Sequence, residues 1–277
     1  MSATELHIPK LSLRGGSAIP QVGLGVWQAA RGQVTRDAVQ AALRLGYRHI
    51  DTARVYGNEI DVGAAIQASG VPREEVFVTT KLWNDDQGYD ATLRAFAQSA
   101  TRLGLAYIDL YLLHWPVEGK RLDSWRALEQ LHADGRARAI GVSNFLVPHL
   151  QELLGVAKTA PMVNQIELTP FLQRRETVAL CRQQGIVLEA YSPLTRGQRF
   201  SDPTVVSIAQ QLGRSPAQVL LRWGVQNGFV VLPKSTHAER IEENGKLFDF
   251  ALSAEAMRAL DALEEGLATG WDPATQD

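Results

Sequence analysis

The sequence predicts an α/β fold, a single (β/α)8 barrel over residues 1–277, and three observations carry that prediction. Short β-branched or apolar runs alternate with stretches whose apolar residues recur every three or four positions, the periods of strand and helix. Most runs start 24–32 residues after the previous one, room for one strand, one helix and two connections. A polar or aromatic residue stands at or just past the end of each run, the rim where such barrels carry their chemistry.

In chain order, Lys10–Ile19, with Arg14-Gly15-Gly16-Ser17 at its centre, reads as a hairpin placed to close the barrel bottom. The strand runs follow at Val22–Val26, Tyr47–Thr52, Val76–Lys81, Ile108–His114, Ala137–Val142, Met162–Ile166, Ile186–Tyr191 and Phe229–Leu232. Ala38, Ala41, Ala42 and Leu45 mark the first helix, with Thr35 as its N-cap and Gly46 as its stop. Leu150, Leu153 and Leu154 mark a later one. The longer gap before the eighth run holds two helical stretches, Pro203–Leu212 and Pro216–Gln226. The rival architecture, an open doubly wound sheet, calls for a glycine-rich first turn. Here Gly23-x-Gly25 is followed by Gln28 where the third glycine belongs.

Composition narrows the function classes. At 45% hydrophobic and 21% charged residues, the chain is that of a globular domain. Lysine and arginine total 28 against 30 acidic residues, a formal charge of -2 without any basic block, so no nucleic-acid partner is expected. The single cysteine, Cys181, excludes an intrachain disulfide. The first nine residues lack the apolar stretch of a signal peptide, and no run approaches ~18 apolar residues, so no membrane partner is expected. The expectation is a cytoplasmic monomer acting on a small molecule.

The rim residues are Trp27, Asp51 with Tyr56 just beyond, Lys81, His114, Asn144, Gln165, Tyr191 and Lys234. Each has a bland explanation alone: Asp51 as a turn cap, Lys81 as a solvated strand end, His114 as a satisfied core histidine. Together at one rim they point to a reaction centre.

The motifs around these residues carry a resemblance. His49-Ile50-Asp51-Thr52-Ala53-Arg54-Val55-Tyr56-Gly57-Asn58-Glu59 resembles the first signature of the aldo-keto reductases. Thr79-Thr80-Lys81-Leu82-Trp83 and Asp109-Leu110-Tyr111-Leu112-Leu113-His114-Trp115-Pro116 resemble the family's next strand segments. Ile140-Gly141-Val142-Ser143-Asn144-Phe145, Asn164-Gln165-Ile166-Glu167, Tyr191-Ser192-Pro193-Leu194 and Leu232-Pro233-Lys234-Ser235 follow in family order. The short loop after Pro116 and the segment Trp83–Tyr89 are similar to the small prokaryotic members, 2,5-diketo-D-gluconate reductases among them.

The resemblance implies an NADPH-dependent reductase of small aldehydes and ketones, keto-sugar acids or related dicarbonyls included. Its tetrad would be Asp51, Tyr56, Lys81 and His114, with Tyr56 as proton donor and Asp51 also bordering the cofactor. Ser143, Asn144 and Gln165 would hold the nicotinamide carboxamide and Tyr191 would stack on its ring. Ser192, Leu194, Lys234, Ser235, Thr236 and Arg240 would take the phosphates of NADPH/NADP+, and Glu243 and Asn244 the adenine. Trp27, Trp83, His114 and Trp115 would wall the substrate pocket, with no metal required. Two departures stand out: Thr195-Arg196 where relatives carry glycine, and Gly245 where a bulky residue is common.

Physical chemistry supports the tetrad separately. A phenol with a pKa of about 10 is a poor acid at neutral pH unless a nearby cation stabilises the phenolate, the role read for Lys81. Asp51 would hold that ammonium, and His114 would donate to the substrate oxygen. Two rivals remain at this stage. A metal-dependent hydrolase needs several His and carboxylate ligands at strand ends, and only His114 of six histidines sits at one. A cofactor-binding regulatory barrel with little turnover is separated from an enzyme by assaying NADPH oxidation against a carbonyl panel.

Overall fold

The computed structural model describes residues 6–275. An antiparallel hairpin, β1 (Lys10–Ser12) and β2 (Ala18–Pro20), precedes eight parallel strands. These are β3 (Leu24–Gly25), β4 (His49–Asp51), β5 (Phe77–Leu82), β6 (Ile108–Leu113), β7 (Ala137–Ser143), β8 (Val163–Glu167), β9 (Val187–Tyr191) and β10 (Val230–Leu232). Each of the eight pairs with its successor, and parallel bridges Val22–Val231 and Gly25–Lys234 join the first to the last. The barrel is closed.

Helices surround it: α1 (Gln33–Arg44), α2 (Glu59–Ser69), α3 (Tyr89–Leu103), α4 (Arg121–Ala133), α5 (Val147–Leu154) and α6 (Arg175–Gln183). The predicted pair before the last strand forms with its predicted bounds, α7 (Pro203–Leu212) and α8 (Pro216–Gln226). Both begin with proline at the first turn behind a capping side chain, Asp202 and Ser215, which accept backbone N–H groups otherwise unpaired. Then come α9 (Ala238–Gly245) and α10 (Ala254–Asp261). None of the described helices is long and apolar enough to cross a membrane.

Strand alternation sorts side chains into two populations. One face packs against the helices in a large apolar shell that includes Ile50, Val78, Tyr111, Ile140 and Ile166. The other points into the barrel. At its lower end Phe77, Leu110, Leu112, Ala139, Val163 and Val230 form a small apolar plug, and Leu13 and Ile19 of the hairpin segment join it. The hairpin therefore closes the end opposite the rim, as the sequence leads one to expect. Above the plug the interior turns polar: His49, Asp51, Thr79, Lys81, Gln165 and Glu189 are all buried.

Some local expectations are corrected. Helix α1 is capped by Gly32, not Thr35; Gly32 takes φ 81°, a conformation glycine adopts freely, so the helix starts earlier. Thr35 donates instead to the Ala30 carbonyl at 2.7 Å. Gly46 does follow the helix end, at φ 101°. The first barrel strand is shorter than Val22–Val26; its seam with the last strand is made by separate bonds, Val231 N–H to the Gln21 carbonyl at 2.9 Å, Gly23 N–H to the Val231 carbonyl at 3.0 Å and Gly25 N–H to the Pro233 carbonyl at 3.1 Å. The unusual Gly245 also has a cause. A Cβ there would lie 3.0 Å from the Tyr47 ring, whose hydroxyl donates to the Ile241 carbonyl in the same helix.

Helix α2 lies so close to the end of α3 that a Cβ on Gly63 would run into the Leu103 carbonyl, a backbone atom that moves only with its helix. Gly63→Ala is therefore expected to lower unfolding free energy by about 1–3 kcal/mol, the cost of overpacking, despite alanine's better helix propensity. Urea denaturation midpoints of the two proteins measure it, and equal or greater stability of the variant would contradict the close approach.

Candidate active site

At the C-terminal rim the strands open into a cleft of about 1280 Å³. Lys81 lies beneath it, fully buried, near the end of β5. Its Nζ donates to Asp51 Oδ1 at 2.7 Å, Asp51 Oδ2 at 2.8 Å and the Thr52 carbonyl at 3.0 Å. A longer contact of 3.4 Å reaches the Tyr56 hydroxyl oxygen. Burial works against the ammonium, but Asp51 and Tyr56 outweigh it and hold the Lys81 pKa above the ordinary lysine value.

Tyr56 ends a single helical turn, Arg54–Tyr56, in the loop after β4. That loop is tied down by buried Asn58, which accepts from Thr52 Oγ1 at 2.7 Å and donates to the Val26 carbonyl at 3.0 Å. Lys81 acts on Tyr56 in the direction read from the sequence, but burial acts more strongly. Burial pushes the phenol up to about 12, and Lys81 only partly offsets it. Lys81 thus makes Tyr56 a better acid than burial alone would leave it, though not better than a free phenol.

His114 follows β6, with its ring edge-on to Trp83 (5.2 Å between centroids) and to Tyr56 (5.9 Å). Burial, helped by the Lys81 charge, holds its pKa well below the ordinary histidine value, so the imidazole is neutral. Its Nδ1 is buried without a hydrogen bond to any described residue.

The structure gathers the other residues read from the sequence. Trp27, Trp83, Trp115, Ser143, Asn144, Gln165, Tyr191, Ser192, Leu194, Lys234, Ser235, Thr236, Arg240, Glu243 and Asn244 all line this cleft with Asp51, Tyr56 and His114. Asn144 donates to the His114 carbonyl and accepts from the Tyr191 hydroxyl, both at 2.9 Å, while Ser143 donates to the Gln165 carbonyl at 2.9 Å. Helix α9 starts at Ala238, and Ser235 Oγ accepts the His237 N–H at 3.1 Å. Lys234 and Arg240 are exposed on the cleft wall, and no ion pair with either is present among the described residues.

Sequence reasoning missed three features. Arg196 lies over the Trp27 ring at 4.6 Å, spanning from the loop after β9 to the loop after β3. Thr269, Gly270 and Trp271 of the C-terminal segment line the cleft, with Trp271 6.1 Å from Trp115 and Thr269 N–H donating to Glu167 Oε1 at 3.0 Å. The third is Glu189, fully buried in β9, which accepts from Gln165 Nε2 at 2.7 Å. It had a visible signal, a lone carboxylate inside the apolar run Ile186–Tyr191. Trp271 had none.

Comparison with known proteins shows the family. The family model described as the aldo/keto reductase family matches residues 21–265. The chain belongs to the aldo/keto reductase family. This aldo/keto reductase is 50% identical over 263 residues to a glyoxal reductase of Bacillus subtilis, covering 95% of each chain. It is 44% identical to the crystal structure of an aldo-keto reductase from a deep-sea metagenome library, with a TM-score of 0.93 over 97% of this chain and 100% of that one. A Bombyx mori aldo-keto reductase solved in complex with NADP shares 38% identity, with a TM-score of 0.90 and 95% coverage of both chains. As a family member the protein is an oxidoreductase, and its family uses NAD(P)H.

The residues present fit such a dinucleotide. At one end the side-chain oxygen of Gln165, Oε1, has no partner among the described residues. At the other, Lys234 and Arg240 flank the start of α9, where unpaired N–H groups favour anions. The cleft is also larger than the ~300–1,000 Å³ that a small ligand alone occupies.

Glu189 provides a test of these electrostatics. Burial and the nearby Asp51 charge push its carboxyl up to about 8, against the Gln165 hydrogen bond and Lys81. A carboxyl whose folded pKa is raised contributes stability that is complete below the ordinary carboxyl range and lost as pH rises towards 8. Glu189→Gln removes that titration. The melting temperature of Glu189→Gln minus that of the wild type should therefore grow between about pH 5 and pH 8. A pH-independent difference in calorimetry would show that Glu189 ionises normally.

Proposed function

We propose that this protein reduces small aldehydes and ketones with NADPH, using Tyr56 as the general acid. The observation that carries this reading is the direction of the Lys81 contact. The ammonium donates to the Tyr56 oxygen, so the phenol's own hydrogen is left to point elsewhere, and Tyr56 borders the cleft. When bound, NADPH supplies the hydride to the carbonyl carbon.

The chain's residues do the rest. His114, neutral and at the cleft wall, donates an N–H to the substrate oxygen and aligns it with Tyr56. The proton held at the Tyr56 hydroxyl passes to that oxygen, and the phenolate left behind is stabilised by the Lys81 ammonium. Asp51 keeps that ammonium charged and in place. Ser143, Asn144 and Gln165 hold the carboxamide of the cofactor, and Tyr191 lies against its ring. Ser192, Leu194, Ser235 and Thr236 line the phosphate-binding stretch, with Glu243 and Asn244 at the adenine end. Trp27, Trp83 and Trp115 give the substrate pocket apolar walls suited to small carbonyl compounds. The identity of the B. subtilis relative as a glyoxal reductase supports dicarbonyls within this range.

Tyr56→Phe removes the acid with almost no change of shape. Turnover with a reactive aldehyde is expected to fall by about 10²–10⁴-fold, while the Kd for NADPH, followed by tryptophan fluorescence, stays within about two-fold. More than a tenth of wild-type turnover would overturn the assignment.

The 2′-phosphate that distinguishes NADPH from NADH falls to Lys234 and Arg240, a point charge and a planar fork beside a helix start. Losing one charge-assisted hydrogen bond costs about 1.5–3 kcal/mol, roughly ten- to a hundred-fold in affinity. Arg240→Ala should weaken NADPH by that factor and leave NADH almost untouched. Equal losses for the two cofactors in titration would remove Arg240 from this role.

A further inference from the structure

Glu189 is a buried carboxylate that the proposed chemistry does not use. It does not line the cleft, and its one hydrogen bond among the described residues comes from Gln165. The register pairs Gln165 of β8 directly with Glu189 of β9, so the two side chains rise on the same inner face. Gln165 Nε2 has two hydrogens, and both are engaged: one goes to Asp51 Oδ2 at 2.9 Å, the other to Glu189 Oε2 at 2.7 Å.

Two carboxyl groups that accept from one amide nitrogen settle which way that amide faces. If the group turned over, its oxygen would meet the Asp51 carboxylate, and both the hydrogen bond to Asp51 and the one to Glu189 Oε2 would be lost. The carbonyl oxygen of Gln165 is thereby directed away from both carboxyl groups. It has no partner among the described residues, and Gln165 borders the cleft. The other oxygen of Glu189, Oε1, is buried without a hydrogen bond to any described residue. It lies 3.5 Å from His49 Nε2, which contacts Thr79 Oγ1 at 3.0 Å.

We propose that Glu189 is a positioning residue for cofactor recognition: with Asp51 it clamps Gln165 so that the amide presents only an acceptor to the cleft, selecting a ligand that bears an N–H donor, the carboxamide of a nicotinamide. This rests on the cofactor reading given under Proposed function. Asp51 alone leaves the second N–H of Gln165 without a partner and the amide with one anchor. Glu189 supplies the second.

The test compares NADPH with its 3-acetylpyridine analogue, in which a methyl group replaces the carboxamide NH2 and the carbonyl is kept. Binding is read by quenching of the cleft tryptophans Trp27, Trp83 and Trp115, so no turnover is needed. The wild type should bind NADPH about ten-fold more tightly than the analogue, the worth of one hydrogen bond to a polar partner. Glu189→Met should lose most of that preference by weakening NADPH alone. Glu189→Gln, which keeps an oxygen able to accept from Gln165, should restore it. Thermal unfolding checks that each variant is folded, and Glu189→Thr, whose hydroxyl is too short to reach Gln165, takes the place of Glu189→Met should that variant fail. Wild-type preference retained in Glu189→Met or Glu189→Thr, or equal weakening of both ligands, overturns the role of Glu189. Absence of quenching by NADPH in the wild type would overturn the cofactor reading itself.

Discussion

The site depends on one ammonium buried inside the barrel. Removing a charge of that size from water costs several kcal/mol even after the protein relaxes, so Lys81 is stable there only with a carboxylate and further acceptors around it. Asp51 supplies two oxygens and the Thr52 carbonyl a third. Once these are in place, the chain leaving β4 has little freedom. It passes over the ammonium and delivers Tyr56 to it five residues after Asp51, with Asn58 fixing the far side of the loop to Val26, just past β3. The electrostatic need of one lysine thus places the Tyr56 phenol at the cleft.

The same need divides the barrel interior into two storeys. The lower is apolar and sealed by the hairpin, and the outer shell between strands and helices is apolar throughout. Those regions stabilise the fold. The upper storey holds Lys81, Asp51, Gln165, Glu189, His49 and Thr79, joined by hydrogen bonds or close polar contacts and buried where each unpaired group is costly. Within it the ionisable groups are driven in different directions. Burial holds His49 near 3, hence neutral, while Asp51 keeps Lys81 charged, and the proximity of Asp51 helps raise Glu189. Titratable groups pushed apart in this way are expected where proton chemistry is carried out.

Backbone strain concentrates at the same rim. Among the described residues, Gln28, Asn144, Ser192 and Arg196 all have positive φ and all line the cleft. Such conformations are disfavoured for residues with a Cβ and persist where surrounding contacts hold them. Asn144 is held by bonds to the His114 carbonyl and the Tyr191 hydroxyl, and Arg196 by stacking on Trp27. The C-terminal segment is fastened separately, by Thr269 to Glu167 and by Arg174 to Asp272 at 2.5 Å. It brings Trp271 to a pocket otherwise built from the strand ends, the loops after them and residues of α8 and α9.

Strand and helix periods determined the barrel, and the residues that end each run determined where chemistry would collect. Both are local properties: alternation of side chains and the position of a polar residue after an apolar run are written within a few neighbouring residues. Asp51, Tyr56, Lys81 and His114 were legible as rim residues for that reason, their grouping as a tetrad coming from the family resemblance, and the proline-led helices α7 and α8 were legible too. Tertiary structure alone decided what arises between segments distant in sequence. Trp271 meets Trp115, Arg196 crosses to Trp27, and Glu189 turns the Gln165 amide, each through a contact that no local pattern records. Tertiary structure also decided the balance at Tyr56, because burial depends on everything packed around the phenol. A sequence shows that a cation is near it, but not that desolvation outweighs that cation.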